Sequence, residues 1–359
     1  MKPENLNDQQ AGQTDGLGKW PLGGLERVTR CPACDSGDRE ILYSGLTDRV
    51  FFCAPGEWTL HRCQSCGCGY LDPRPTPETI HLAYSYYYTH ENASSTDENP
   101  TRLGLIRRAL GNGYRNWRFG TTFEPENRLG ALLFLLWPSV RKRLDMGLRH
   151  LPKRPTHGRL LDVGFGAGTF LERAKKGGWD VVGADPDPVV VEAARSRGLD
   201  VRQGGIQAFS DEAGSFDAIT LSHVIEHVFS PQHDLEEAFK LLKPGGALWI
   251  QTPNIRGPVH QYFGRNWRGL EPPRHLTIFN SKALFQCLSN SGFVDIEDLP
   301  WDANIRARFL ASKVIETGRR DSAGSFTDEE ERFVSKWEGE AAHNPDLRES
   351  ITAMCRKPL

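Results

Sequence analysis

Two histidines and a glutamate in the stretch HVIEHV (223–228) have side chains that can bind a metal or transfer protons. His223, Glu226 and His227 match the H-x-x-E-H pattern of inverted zinc peptidases at each fixed position. Such a peptidase needs both histidines on one face of a continuous helix, with a third ligand elsewhere. The segment directly before them (FDAITLS, 216–222) is instead typical of a buried strand. The sequence therefore argues against a peptidase.

Six of the eight cysteines lie between residues 31 and 68, and four of them form two C-x-x-C pairs, Cys31/Cys34 and Cys63/Cys66. Each pair offers two thiolates from one tight turn, so the two pairs supply four ligands for a tetrahedral zinc ion. The 28 residues between the pairs leave room for a hairpin, with REILYSG and EWTLHRC as its strands. We expect a structural zinc ribbon. A metal-free thiol cluster is the alternative. Cys53 and Cys68 are spare, and either is able to substitute for one of the four ligands.

From residue 158 onward, strand-like and helix-like segments alternate, which predicts an α/β fold with a parallel sheet. Ligands of such sheets bind at the carboxyl ends of the strands. The loop after the first strand has an acid and alternate glycines, and glycine permits positive φ and close approach of a ligand. A dinucleotide fingerprint would need glycine at 169, where the chain has Thr169. The spacing therefore disfavours a nicotinamide dinucleotide.

This loop, Asp162-x-Gly164-x-Gly166-x-Gly168, resembles motif I of the class I S-adenosylmethionine (SAM) methyltransferases, although Phe165 stands where that family often has cysteine. The resemblance implies a Rossmann-like sheet, parallel with one antiparallel strand, plus the small N-terminal zinc ribbon and helical insertions. It also implies that the acid ending the second strand accepts the ribose hydroxyls of SAM. The implied cofactor residues are Asp162, Gly164, Phe165, Gly166, Gly168, Asp185, Pro186, Gly205, Ile206, Gln207, Ser222 and His223.

The segment VIEHVFSP after the fourth strand resembles the same position in ubiquinone-biosynthesis-like methyltransferases, which often read V-[IL]-E-H-x-x-x-P. An imidazole there is a suitable general base for a hydroxyl or a carbon acid. We predict His227 as this base, with Glu226 and His223 as catalytic neighbours. Alternatively, Glu226 and His227 only brace the loop. The motifs of amino-nitrogen and cytosine C5 methylases are absent after this strand, which favours oxygen or carbon acceptors.

A tyrosine-rich segment, YSYYYTH (84–90), is the first candidate for binding the acceptor. It resembles a stretch of zinc-ribbon sugar methyltransferases that reaches the active site. The resemblance makes Tyr87 and His90 predicted acceptor contacts and Tyr88 a predicted catalytic residue. Aromatic packing of a short helix is the alternative.

A second candidate is residues 256–280, which are rich in histidine, arginine and aromatic residues. They resemble the PPRH loop of methyltransferases from polysaccharide and glycolipid pathways. This predicts acceptor contacts by Arg274 and His275 and stacking of a sugar on Trp267. A lid loop that serves stability alone is the alternative.

The 359 residues suit two or three domains, and their formal net charge is −2. With no overall basic surplus, we expect no nucleic-acid partner. The run LGALLFLLWPSV (129–140) is too short to span a membrane and predicts a buried helix. Basic residues follow it, so the alternative is a peripheral membrane contact through 129–154. The expected location is the cytoplasm, or the inner face of its membrane.

Composition, the motifs and the resemblance together imply six consecutive segments. They are a disordered lead (1–29), the zinc ribbon (30–75), a helical linker and substrate-side segment (76–155), the SAM-binding core (156–302), a helical insertion (303–346) and a final core strand (347–359).

Together these features predict a zinc-ribbon class I methyltransferase with SAM and structural Zn²⁺ as cofactors. The predicted acceptor is an oxygen or carbon of a sugar, a nucleotide-sugar or a lipid-linked glycan. One alternative is O-methylation of a quinol or other small phenolic or lipid acceptor. A zinc-module ribosomal-RNA methyltransferase is a third option, disfavoured by the charge balance. A SAM-binding scaffold without turnover is the alternative outside enzymes.

Overall fold

The computed structural model describes residues 19–84, 101–299, 305–319 and 326–359. Contacts divide the chain into two compact units. Unit 1 comprises residues 1–87, 253–283 and 303–350, and unit 2 comprises residues 88–252, 284–302 and 351–359. The units are therefore not consecutive segments, because two later parts of the chain group with the N-terminal cysteine region. The predicted residues Tyr87, Tyr88 and His90 lie outside the described residues.

The described strands, in chain order, are β1 (Leu25–Glu26), β2 (Arg39–Leu46), β3 (Trp58–Cys63), β4 (Gly69–Leu71), β5 (Arg74–Pro75), β6 (Arg159–Val163), β7 (Asp180–Asp185), β8 (Asp200–Gln203), β9 (Phe216–Ser222), β10 (Leu242–Pro253), β11 (Thr277–Ile278), β12 (Val294–Asp298) and β13 (Ser350–Arg356). The described α-helices are α1 (Arg102–Phe119), α2 (Leu129–Leu135), α3 (Pro138–Met146), α4 (Thr169–Lys176), α5 (Pro188–Ser196), α6 (Pro231–Leu241), α7 (Pro258–Phe263), α8 (Ser281–Asn290), α9 (Ile305–Thr317) and α10 (Asp328–Ala341).

A seven-stranded sheet forms the centre of unit 2, in the order β12-β13-β10-β9-β6-β7-β8. Strands β6 to β10 pair in parallel, whereas β12 and β13 pair antiparallel. Strands β6 and β9 are buried along almost their whole length, as expected when helices cover both faces of a sheet. Apolar side chains of β6, β7, β8, α4 and α5 form one buried cluster. The predicted Rossmann-like α/β class is confirmed.

The beginning of α5 fixes the chain just after β7. Asp187 accepts hydrogen bonds from the backbone N–H groups of Val189 and Val190, and Pro188 occupies the first helical position. A capping aspartate followed by proline is a strong signal for a helix start. This cap holds the end of β7, where the predicted ribose-binding acid lies.

In unit 1, the predicted hairpin between the cysteine pairs is confirmed by the antiparallel pairing of β2 with β3. Strands β4 and β11 extend it to a four-stranded sheet. The predicted disordered lead extends too far, because residues 19–29 are described. Trp20 is buried, packs edge-on against Trp58 and donates Nε1–H to the Gly24 carbonyl. Through Trp20, the end of the predicted lead thus packs against strand β3 of the ribbon.

The prediction of a buried helix over 129–140 is wrong. Helix α2 buries only Gly130 and Phe134. It ends at Leu135, and a separate helix, α3, begins at Pro138. Leu132, by contrast, is 68% exposed. A search of the described residues finds no helix with the length and apolarity needed to cross a membrane.

Candidate active site

The loop between β6 and α4 is shaped by three glycines. Gly164, Gly166 and Gly168 have φ values of 66°, 54° and 75°, a region that side chains of other residues rarely tolerate. A Cβ added to Gly164 would lie 2.4 Å from the Cγ2 atom of Val224. The loop therefore passes close to the segment after β9, and a side chain at any of the three glycines would strain it.

Asp162, the acid before these glycines, is fully buried and does not reach the surface of the loop. Its Oδ1 atom accepts hydrogen bonds from the Thr220 hydroxyl (2.7 Å) and from the guanidinium of Arg149. Its Oδ2 atom is buried and has no hydrogen-bond partner among the described residues. Burial raises the pKa of Asp162, and the arginine and the hydroxyl oppose that rise. Asp162 thus anchors the start of the loop from inside the core.

Sequence reasoning missed Arg149 because it lies in a basic stretch that reads as solvated surface. Its guanidinium donates to Asp162 and to the Thr220 hydroxyl, and lies 3.7 Å from the centroid of the Phe170 ring. Together with Phe165 and Phe170, Arg149 borders a cavity of about 300 Å³ beside the glycine loop. A partly buried cation at this place suits a ligand with a carboxylate, such as the amino-acid end of SAM.

Asp185, at the end of β7, is nearly buried and connects the loop to α5. Its Oδ2 atom accepts from the Gly166 amide (2.9 Å), and its Oδ1 atom accepts from the Asp187 amide (3.0 Å). Burial raises the pKa of this carboxyl group, while the two amides oppose the rise. Each carboxylate oxygen retains a second lone pair, so both can still accept ribose hydroxyls. The predicted role of Asp185 fits this geometry.

Of the predicted adenine-side residues, Ile206 and Gln207 begin a short 3-10 turn at residues 206–209, and Gly205 directly precedes it. Ile206 is buried, and the Gln207 side-chain amide donates to Asp234 at the start of α6 (2.8 Å). These contacts hold the turn in place. Adenine contacts by Gly205, Ile206 and Gln207 remain a prediction.

The H-x-x-E-H segment forms a turn, not a helix, which agrees with the argument against a peptidase. His223 follows β9 directly, with φ of 55°, and its amide donates to the Gln251 carbonyl of β10. Its Nδ1 atom lies 3.1 Å from Oε1 of the buried Glu226, whose Oε2 accepts from the Thr252 hydroxyl (2.9 Å). Glu226 therefore orients the imidazole of His223, whereas sequence reasoning had favoured His227 as the base.

The PPRH segment of unit 1 is mostly buried. Arg274 is completely buried and donates to Asp48, Glu271 and the Ala83 carbonyl. Because its guanidinium is engaged on all sides, Arg274 is a structural residue, which corrects the predicted acceptor contact.

Two neighbours of Arg274 are also buried. Trp267 is 2% exposed and donates Nε1–H to Glu349, so no sugar stacks on it in this conformation. This too corrects the prediction. His275 is buried with Nδ1 2.7 Å from the Gly269 carbonyl, and its acceptor contact remains a prediction.

Four thiols of unit 1 converge as the cysteine spacing predicts. The Sγ atoms of Cys31 and Cys66 are 3.6 Å apart, those of Cys34 and Cys63 are 3.5 Å apart, and all four lie within 4.8 Å of one another. Tetrahedral zinc with Zn–S bonds of about 2.3 Å needs sulfurs about 3.8 Å apart. The donor set therefore fits Zn²⁺. Cys53 is not part of it, since its thiol donates to the Ala83 carbonyl.

Comparison with known proteins finds methyltransferases among the matches. Residues 139–298 match the family model described as a methyltransferase domain. A ubiquinone biosynthesis O-methyltransferase of Xanthomonas oryzae pv. oryzae is 34% identical over 137 residues, which are 36% of this chain and 54% of that protein. The mitochondrial ubiquinone biosynthesis O-methyltransferase of Homo sapiens is 28% identical over 182 residues, 47% of this chain and 48% of that protein.

Among solved structures, a SAM-dependent methyltransferase from Archaeoglobus fulgidus is 19% identical with a TM-score of 0.41, covering 61% of this chain and 94% of that chain. The family match and the order of the strands agree with an α/β methyltransferase domain over residues 139–298. The chain spans about half the length of the curated relatives it matches.

We predict that replacing Arg149 with Met destabilises the chain by about 3–5 kcal/mol, because the Asp162 carboxylate is then buried without its charge partner. The double variant Arg149→Met/Asp162→Asn, which also removes the buried charge, should recover part of this loss. Urea unfolding followed by tryptophan fluorescence measures both. Arg143→Met, at an exposed arginine, is the control and should stay within about 0.5 kcal/mol of the wild type. A double variant that is less stable than Arg149→Met would contradict the pairing.

Proposed function

We propose that this chain is a SAM-dependent O-methyltransferase that acts on the hydroxyl group of a quinol or another phenolic acceptor. The observation that carries this proposal is the His223–Glu226 pair directly after β9. Because β6, β7 and β9 are parallel, the carboxyl ends that bear the glycine loop, Asp185 and His223 lie at one edge of the sheet. A cofactor site and an oriented imidazole thus share one edge of unit 2.

Bound SAM supplies an electrophilic methyl group. The glycine loop and Asp185 would hold its amino-acid and ribose parts, and Arg149 would hold its carboxylate. A neutral His223 that donates Nδ1–H to Glu226 presents an unprotonated Nε2, which takes the proton from the acceptor hydroxyl. The buried Glu226 carboxylate then stabilises the imidazolium cation that forms. Positioning accounts for the rest of the rate, since methyl transfer is an in-line displacement.

The choice of acceptor rests on the relatives and on burial. The two matched relatives are named as ubiquinone biosynthesis O-methyltransferases, which supports an oxygen acceptor of the phenolic kind. Support for a sugar or glycan comes only from sequence segments, and two of their predicted contacts, Trp267 and Arg274, are buried. The phenolic acceptor, the alternative at the level of sequence, is therefore our first candidate. Incubation with radiolabelled SAM and either hydroquinones or nucleotide-sugars decides between them.

We predict that Asp185→Asn weakens SAM binding about 10- to 100-fold, since it removes the charge from hydrogen bonds to two hydroxyl groups. An asparagine oxygen can still accept from the Gly166 amide of the loop, whereas its NH2 group cannot replace the acceptor of the Asp187 amide. Isothermal titration with SAM gives the dissociation constants. Asp200→Asn, at an exposed position of β8, is the matched control. Equal affinity in the wild type and Asp185→Asn would remove Asp185 from the cofactor site.

We predict that His223→Gln lowers kcat for a hydroquinone about 10²- to 10⁴-fold, because the general base is lost, while the affinity for SAM changes little. His227→Gln is the matched control and should retain kcat within a few-fold. Single-turnover methyl transfer from radiolabelled SAM measures both. If His227→Gln shows the larger loss, His227 is the base, as the sequence alone suggested. If wild-type protein binds SAM but methylates no acceptor, the scaffold alternative gains.

We further propose that the four thiols hold a structural Zn²⁺, because a closed set of four cysteines leaves no open position for chemistry. We predict one zinc per chain by inductively coupled plasma mass spectrometry. Cys34→Ser should lose most of it and lower the melting temperature, whereas Cys287→Ala, at a buried cysteine outside the cluster, should keep it. Full zinc content in Cys34→Ser would show that the metal binds elsewhere.

A further inference from the structure

Helix α2 exposes an apolar row where a surface helix normally exposes polar residues. Leu129, Leu132, Leu133 and Leu136 follow the spacing i, i+3, i+4 and i+7, so they share one face. Their exposed fractions are 66%, 68%, 37% and 84%. Large aliphatic side chains scattered singly on a surface are ordinary, but a row along one helix face marks an interaction site.

The packing of α2 shows that this exposure is built into the fold. The opposite face carries Phe134 and Gly130, which are buried against α1. A Cβ added to Gly130 would lie 1.9 Å from the Leu110 carbonyl oxygen, and one added to Gly113 of α1 would lie 1.9 Å from the Asn127 carbonyl oxygen. Two glycines therefore hold the helices at a distance that no other residue permits. This contact fixes the rotation of α2 and turns its leucine row outward.

The adjoining elements add the same kinds of side chain. Leu103 and Ile106 are exposed at spacing i, i+3 near the start of α1, and Trp117 and Trp137 are each more than half exposed. Tryptophan prefers the boundary between an apolar phase and water. Aliphatic rows flanked by tryptophans are typical of a helix that lies in a membrane interface.

The charges of this region differ from those of the whole chain. Residues 101–147 contain nine arginines and lysines but three acids, although the full chain has a net charge of −2. Arg107, Arg108, Lys142 and Arg143 are exposed and form no ion pair within the described residues. A basic region beside apolar rows is complementary to an anionic lipid surface. A twofold contact with a second copy would instead set the same basic residues against each other.

We infer that α1, α2 and α3 dock the protein on an anionic membrane surface, with the leucine row of α2 inserted between the headgroups and the arginines and lysines on the lipid phosphates. The docking surface comprises residues 102–146. This inference does not depend on the proposed methyl transfer, because it rests on exposure and charge alone.

Co-flotation of the full chain with phosphatidylcholine vesicles containing about 30% phosphatidylglycerol tests the inference. The wild type should float with these vesicles, less so in 0.5 M NaCl and least with pure phosphatidylcholine. Leu132→Asp/Leu136→Asp should reduce binding about tenfold or more, since both leucines are lost from the apolar phase. Leu22→Asp/Leu359→Asp, at two fully exposed leucines outside the surface, is the matched control and should bind as the wild type.

A charge variant, Arg107→Gln/Arg108→Gln/Lys142→Gln/Arg143→Gln, keeps the apolar row and should also lose about tenfold or more in affinity for the anionic vesicles. Equal melting temperatures of all variants confirm that they are folded. The inference is overturned if the wild type floats with neither vesicle type. It is also overturned if sedimentation shows a dimer that Leu132→Asp/Leu136→Asp separates, because the leucine row then binds a second copy.

Discussion

The buried carboxylate of Asp162 is the constraint on which the candidate site depends. A charge at the centre of a parallel sheet is tolerated only with a partner, and Arg149 and Thr220 supply a cation and a hydroxyl. This pairing joins three separate parts of unit 2, namely the segment after α3, the end of β6 and the strand β9. The glycine loop begins two residues after Asp162, so its starting point is set by an ionic contact inside the core.

The second acid, Asp185, likewise holds the glycine loop, from the end of the neighbouring strand β7. Its carboxylate spans from the glycine loop to the start of α5, so it closes the loop while keeping lone pairs for a ligand. At β9, the positive φ of His223 turns the chain sharply and brings Glu226 back to its imidazole. A strained backbone conformation of this kind persists only where surrounding contacts hold it in place, and such conformations cluster at functional sites. Successive strand ends thus carry the buried carboxylate of Asp162, the nearly buried carboxylate of Asp185 and the His223 imidazole, which Glu226 orients.

Local patterns predicted much of this architecture. The strand–helix alternation, the glycine spacing and the cysteine pairs are patterns of residues close together in the chain. The structure has each of them where it was predicted. Partnerships between distant residues were not predictable in that way. Arg149 is indistinguishable from a surface arginine in sequence, the contact of Glu226 with His223 depends on the turn between them, and Arg274 is buried because Asp48 lies beside it. The predicted burial of the apolar run 129–140 was wrong for the same reason, because only the contact with α1 decides which face of α2 is covered.

The net charge of the whole chain was also a poor predictor of its partners. Its value of −2 does not reveal that residues 101–147 are basic. The argument from balance against polyanionic partners therefore applies to the chain as a whole and not to this region. What separates a lipid surface from a nucleic acid here is the leucine row, since phosphate backbones offer no apolar phase for it. A phenolic lipid acceptor would dissolve in that same phase. An enzyme for such an acceptor gains from residence at the membrane surface, where its substrate is concentrated, so the two proposals are compatible in chemistry while their evidence comes from different residues.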